Sequence, residues 1–359
     1  MNVGYVSADL RRHPVGLFMV PLLGHHDSRA VNIICYNNSR IGDEITAKLR
    51  RFCAVWRDVS SLSDDQLADQ IRRDRIDVLV DLSLHSAGNR MLVFATKPAP
   101  VQVSWLGYAG TTGLKTMDYR LTDPYFDPAG TDDCYSERSI RLPHSYWCYE
   151  PIDPTVSVNE LPAGNNGYVT FACVNNSAKI TLGASELWAK ILSDVPRSRL
   201  LILSPPGGHR SQIMGQFAAR QIDTSRVEFV ERKTLLGYLL QFHRVDINLD
   251  TFPCGGGTTT CDALWMGVPT VSLRGATAVG RAGVSILSNA DLKDWIAESP
   301  EEYLRVATQM AADVNGLREL RSRLRGKMEK SPLMDAGRFA SDMEHAIRVM
   351  WESWARNSA

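Results

Sequence analysis

The chain lacks any excess of charge: 40 lysines and arginines meet 40 aspartates and glutamates, for a formal net charge of +0. That removes the basic surface on which nucleic-acid and anionic-membrane binders depend, so neither partner is expected. No apolar run approaches the ~18 residues of a membrane span. The seven cysteines are odd in number, scattered, and mostly set in apolar runs, as at Cys35 and Cys173. This usage fits a reducing compartment, and with no C-x-x-C pair or H-E-x-x-H helix a zinc site is not expected. Met1 runs almost at once into a strand-like segment, which leaves no signal peptide; the expected localisation is cytoplasmic. Also missing is any D-x-D pair, the usual device of a transferase that neutralises a diphosphate with a divalent ion.

What is present is 359 residues, 44% of them hydrophobic, enough for two domains with real cores. Strand-like and helical patterns alternate throughout. In the first half the strands read Val3–Ser7, Val31–Tyr36, Asp77–Leu82, Val101–Leu106 and Ser139–Leu142, with a helix at Ser63–Asp74 whose Leu67 and Ile71 point inward. The strands are near-continuous Val, Ile and Leu runs, which predicts parallel sheets covered on both faces. Pro151–Gly167 is rich in Pro, Asn, Asp and Gly and reads as a linker. A second alternation follows, with strands at Tyr168–Val174, Leu200–Leu203, Val227–Val230, Val245–Leu249 and Thr270–Leu273 and helices at Ala184–Asp194 and Leu235–His243. The expected division is residues 1–155, 156–335 and a bracing helix over 336–359. That last helix carries Phe339, Met343, Ala346, Ile347, Met350 and Trp354 on one face and is expected to cross back onto the first domain. The fold class is α/β, two Rossmann-like doubly wound sheets facing a cleft.

The most telling stretch is Asp246–Pro269, DINLDTFPCGGGTTTCDALWMGVP. An apolar strand breaks into three glycines and three threonines that open a helix. Such a turn presents free backbone N–H groups and the positive end of a helix dipole to a phosphate. Glycines let the backbone approach a bulky anion, and the hydroxyls of Thr258, Thr259 and Thr260 can cap the helix or donate to phosphate oxygens.

Four ordered motifs together resemble the catalytic module of the O-GlcNAc transferase and SPINDLY family. They are VGYVSADLRRHPVG (3–16), KPAPVQVSWLGYAGTTGLKTMDY (97–119), FACVNNSAKI (171–180) and LDTFPCGGGTTTCDALWMGVP (249–269), and the likeness covers essentially the whole chain. The resemblance implies a GT-B glycosyltransferase that moves a sugar, with inversion and without metal or other cofactor, from a nucleotide diphosphate to protein Ser or Thr. It implies that Lys179 carries the leaving diphosphate, as a compact cation suited to phosphate in a chain without D-x-D. It places Asp262 on the ribose hydroxyls, with Gly257, Thr258, Thr259 and Thr260 around the phosphates. Asn175 and Asn176, just before Lys179, are weaker candidates for the diphosphate or base.

His13 follows the first strand, with Pro14 suited to the first position of a new helix. An imidazole there can take the acceptor's hydroxyl proton, or orient sugar or donor without being the base. His85, in DLSLHSAGNR after the strand Asp77–Leu82, is the second such candidate. Trp105, Tyr108, Thr111, Thr112 and Gly113 read as a loop shaping the sugar and acceptor side.

Two departures from the family leave points open. Members that use UDP-GlcNAc carry a histidine before the Thr-Thr pair where this chain has Gly257; its GGGTTTC form is nearer the plant SPINDLY version, which resembles a protein O-fucosyltransferase using GDP-fucose. The family's tetratricopeptide repeats are not in this sequence, so a protein acceptor is expected to depend on a repeat domain outside it. Transfer to a small molecule or glycan, and a non-catalytic nucleotide-sugar-binding module, are the alternatives.

Overall fold

The apolar runs are the centres of two sheets. The computed structural model describes residues 1–231 and 234–358; Ala359, the end of the expected bracing helix, lies outside the described residues, as do Arg232 and Lys233. The chain divides into two units, residues 1–150 with 332–359, and residues 151–331.

The first unit holds β1 (Asn2–Ser7), β2 (Asn32–Asn37), β3 (Val55–Asp58), β4 (Val78–Asp81), β5 (Val101–Ser104), β6 (Tyr119–Thr122) and β7 (Arg138–Arg141). They are ordered β3-β2-β1-β4-β5-β6-β7, every pair parallel. The second holds β8 (Thr170–Cys173), β9 (Arg199–Leu203), β10 (Val227–Val230), β11 (Ile247–Leu249), β12 (Thr270–Leu273) and β13 (Ile296–Ala297). Their order, β10-β9-β8-β11-β12-β13, repeats the same winding, again all parallel. In a doubly wound sheet the direction of winding reverses once, and the loops diverging there leave a crevice at the strands' carboxyl ends. That point lies between β1 and β4 in the first unit and between β8 and β11 in the second.

Three strands were not legible in the sequence. β3 reads VWRD and is an only partly buried edge strand. β6 reads YRLT and looks amphipathic, yet Arg120 is 3% exposed. Its guanidinium is paired with Asp127 and stacked 3.5 Å from the Tyr135 ring, which is how a buried cation is tolerated. β13 has only two residues.

Local chemistry sets the helix ends. Ser63 caps the helix Asp64–Arg73 by accepting from the Gln66 amide, and the Gln66 side chain returns to the Ser63 amide. The C-terminal helix Ala336–Ser358 belongs to the first unit, with Phe339, Met343, Ile347 and Met350 buried. Phe339 meets the Trp105 ring at 5.9 Å. Glu344 accepts from His26 Nδ1 and from the Asp27 amide, both at 2.9 Å, while His26 Nε2 lies 3.2 Å from the Tyr5 hydroxyl. Burial pushes the Glu344 carboxyl up, but its bonds to His26 and Asp27 hold it below the usual range. Glu344→Ala leaves two donors at a buried seam without an acceptor, so a loss of about 1–3 kcal/mol is expected, read from the melting of the first unit. Unchanged melting would mean that the apolar face alone docks this helix.

Candidate functional site

In the second unit, the loops that leave β8 and β11 converge at the switch point. β11 runs into Asp250, which is 1% exposed and organises the glycine turn. Its Oδ1 accepts from the Gly256 amide (2.8 Å), the Thr251 amide (2.9 Å) and Asn175 Nδ2 (2.8 Å), and its Oδ2 from Ser272 Oγ (2.8 Å). Burial raises the Asp250 carboxyl, opposed by these bonds and by the Lys179 charge. Asn175 also donates to Thr251 Oγ1 and accepts from Thr259 Oγ1, tying the two loops together. Gly256 has no room for a side chain: a methyl there would lie 2.6 Å from both Asn175 Oδ1 and Thr260 Oγ1.

The helix Thr258–Trp265 then starts at Gly257, which has no side chain to cap it. Among the described residues no acceptor takes the amides of Gly257, Thr258 or Thr259. The buried hydroxyl oxygens of Thr258 and Thr260 also lack a partner. Lys179, partly exposed after β8, donates from Nζ to the Gly255 carbonyl at 2.7 Å, so the one ammonium named from sequence stands at the lip of this turn. Uncapped amides, orphaned hydroxyls and a lysine make an anion cradle.

The other donor-side candidates are placed differently. Asn176 is exposed and caps its own turn, accepting from the Ala178 amide. Asp262 is 1% exposed and accepts from the Tyr238 hydroxyl at 2.9 Å, so its carboxylate faces the protein interior. Asp250 was not singled out from the sequence, although an aspartate between an apolar strand and a glycine run was the signal for it. A cavity of about 630 Å³ lined by Tyr168, Arg199, Arg226 and Arg244 lies at the opposite, amino end of these strands and touches none of these groups.

In the first unit His13 follows β1 and His85 follows β4, the two strands that flank the switch point. His13 is the N-cap of the helix Pro14–His25: its Nδ1 accepts from the Val15 amide at 3.3 Å, with Asp9 Oδ2 3.7 Å away. Burial lowers the His13 pKa and Asp9 opposes it, so the ring is neutral near pH 7. With Nδ1 accepting, the neutral ring carries its proton on Nε2 and offers a donor there.

His85 has the opposite tautomer. Its Nε2 lies 3.1 Å from the Thr112 carbonyl, which can only accept, so Nε2 holds the proton and Nδ1 keeps a lone pair on an exposed ring. Two buried acids hold this arrangement, and neither was read from the sequence. Asp81, at the end of β4, accepts from the amides of Ser83 (3.1 Å) and Leu84 (2.7 Å) and turns the chain ahead of His85. Glu137 accepts from Thr111 Oγ1, the Thr112 amide and Thr112 Oγ1, fixing the carbonyl that orients the ring. Within the same loop Trp105 is 2% exposed and donates to the Tyr146 carbonyl; it is core, whereas Tyr108 is exposed.

Burial pushes the Asp81 carboxyl up to about 7, against the pull of its two amide donors. A carboxyl that binds protons more tightly folded than unfolded stabilises the fold in acid. That contribution is complete below the unfolded value near 4 and lost as pH rises through about 7. Asp81→Asn is therefore expected to flatten the stability profile between pH 5 and 8 by about 2–3 kcal/mol, measured by denaturant melts across that range. An unaltered profile would show that Asp81 does not titrate there.

The family model of glycosyl transferase family 41 matches residues 1–153 and 155–343. The solved structure of a lysine-to-methionine mutant of Thermobaculum terrenum O-GlcNAc transferase is similar to this one with a TM-score of 0.94 at 37% identity, covering 100% of this chain and 69% of that chain. The chain belongs to glycosyl transferase family 41. The expected α/β class, GT-B with two doubly wound parallel sheets, is the observed one.

Among curated family 41 relatives, a rice protein (Oryza sativa subsp. japonica) named probable UDP-N-acetylglucosamine–peptide N-acetylglucosaminyltransferase SPINDLY is 38% identical over 99% of this chain and 39% of its own length. The Arabidopsis thaliana relative named SEC, with the same activity in its name, is 31% identical over 98% of this chain and 37% of its own. This chain thus spans about two fifths of the length of those curated relatives. A lipopolysaccharide outer core galactosyltransferase, WaaB, shares the fold alone, at a TM-score of 0.64 and 13% identity. Among the described residues no helix is long and apolar enough to cross a membrane, and no three His, Cys, Asp or Glu side chains are grouped to hold a metal ion.

Proposed function

We propose that this family 41 member transfers a sugar from a nucleotide diphosphate to serine or threonine hydroxyls of protein, with inversion and without a metal ion. The observation that carries this reading is the anion cradle at the second switch point, where Lys179 meets a glycine turn with uncapped amides. As the glycosidic bond breaks, negative charge gathers on the leaving diphosphate. The lysine and the amides of Gly257, Thr258 and Thr259 stabilise that charge where it develops, in the role a divalent ion has in D-x-D enzymes. Asp250 and Asn175 hold the turn, and Asp262 would need to release Tyr238 to reach a ribose.

The acceptor hydroxyl must lose a proton as it attacks. In the first unit His85 Nδ1 has the free lone pair for that step, while His13 Nε2 donates a hydrogen bond to the sugar or donor. This reverses the order in which sequence alone ranks the two histidines. The relatives' names favour UDP-GlcNAc and peptide acceptors, whereas Gly257 favours GDP-fucose. The length of those relatives supports a protein acceptor delivered by a segment outside these residues.

Thermal shift with UDP, GDP and their sugars, in EDTA, tests the donor half. A nucleotide at 100 times its Kd should add about 2.7 kcal/mol of native-state stability. Gly256→Ala, which drives a methyl into Asn175 and the threonines, is expected to abolish that shift; a normal shift in the variant would place the nucleotide elsewhere.

A further inference from the structure

Two sulfurs in the first unit serve neither half of this chemistry. Cys35 is buried in the middle of β2, and Cys53 is partly exposed just beyond the helix Glu44–Phe52. Their Sγ atoms lie 2.9 Å apart, and Cys53 Sγ also reaches the Leu49 carbonyl at 3.3 Å. The approach does not depend on a loose loop. The Ala54 amide bonds the Ile33 carbonyl at 3.0 Å, and the β2–β3 register sets Cys35 beside Trp56. Neither thiol belongs to a group able to hold a metal ion among the described residues.

We propose that Cys35 and Cys53 are a modification site, an oxidisable pair that forms a reversible disulfide when the protein meets a peroxide. Closing from 2.9 Å to the ~2.05 Å of an S–S bond takes a movement of under about 1 Å. Cys53, the more exposed residue of the two, attacks a peroxide oxygen through its sulfur and becomes a sulfenic acid as the O–O bond breaks, releasing water. The Cys35 sulfur then attacks the Cys53 sulfur. The S–S bond forms, hydroxide leaves Cys53, and with the Cys35 proton it departs as a second water. Two thiols are oxidised by two electrons and one peroxide is reduced to two waters; a dithiol reverses the bond by exchange. The bond would staple the end of the helix Glu44–Phe52 to β2. The opposite end of that helix carries Asp43, which accepts from the Arg12 amide at 2.6 Å next to His13.

The test uses the full chain, reduced, desalted, treated with a few equivalents of hydrogen peroxide, blocked with N-ethylmaleimide and mapped by mass spectrometry. The expected result is one cross-linked Cys35–Cys53 peptide pair that dithiothreitol separates. A Tm rise of roughly 5–10 °C in the first unit should appear and disappear with it. Cys53 recovered as a free thiol, as an over-oxidised acid, or linked to the exposed Cys134 instead of Cys35 would overturn the proposal. Cys53→Ser leaves the core cysteine in place; it should lose both the cross-link and the reversible Tm rise. A rise that persists in this variant would equally overturn it.

Discussion

Lys179→Ala is expected to lower sugar transfer by about 10²–10³-fold, the effect of removing one preorganised donor from a site of developing charge. The loss should fall mainly on kcat, because the leaving diphosphate gains its extra charge in the transition state. Stability should hardly change, since among the described residues the ammonium's hydrogen bond goes to a single acceptor, the Gly255 carbonyl of the glycine turn. Lys179→Arg is expected to recover little: a planar fork does not replace a compact ammonium that must reach both the turn and the ligand. Turnover unchanged in the alanine variant would remove Lys179 from the mechanism.

His85→Ala is expected to reduce turnover by roughly 10²–10⁴-fold while nucleotide binding, which the proposal assigns to the second unit, stays intact. His13→Asn keeps a side chain able to cap the helix Pro14–His25, so its effect separates chemistry from folding. There a loss of about tenfold is expected, the measure of one hydrogen bond. The reverse pattern, a loss of about 10²–10⁴-fold in His13→Asn and of only about tenfold in His85→Ala, would assign the base to His13. Loosening the support should resemble losing the ring: Glu137→Gln frees the Thr112 carbonyl that fixes the His85 tautomer.

Sequence reasoning reached both sheets because a strand covered on both faces is built around an apolar centre, as in residues 3–6 of β1, 78–80 of β4 and 171–173 of β8. It did not reach β6, where the buried position is an arginine satisfied by Asp127 and Tyr135, contacts made only in three dimensions. The same limit governs the site. Lys179, His13 and the threonine turn could be singled out as candidates because each follows a strand, in a motif that resembles the family's. Asp250, Asp81 and Glu137 were not, because a buried acid looks like any other acid until its amide donors are seen. The two histidines show the limit most clearly. Both read as strand-end imidazoles, but what separates a donor from a base is which nitrogen the protein occupies: Val15 takes Nδ1 of one and Thr112 takes Nε2 of the other.

The central claim is metal-free transfer driven by the Lys179 cradle. Its most direct measurement is incorporation of labelled sugar from UDP-GlcNAc and GDP-fucose into protein in excess EDTA, with the Lys179→Ala chain run beside the unaltered one. The account expects label from one of the two donors on serine or threonine, undiminished by EDTA and reduced at least about a hundredfold by the substitution. Transfer that requires a divalent ion, or that proceeds equally well without Lys179, would contradict it.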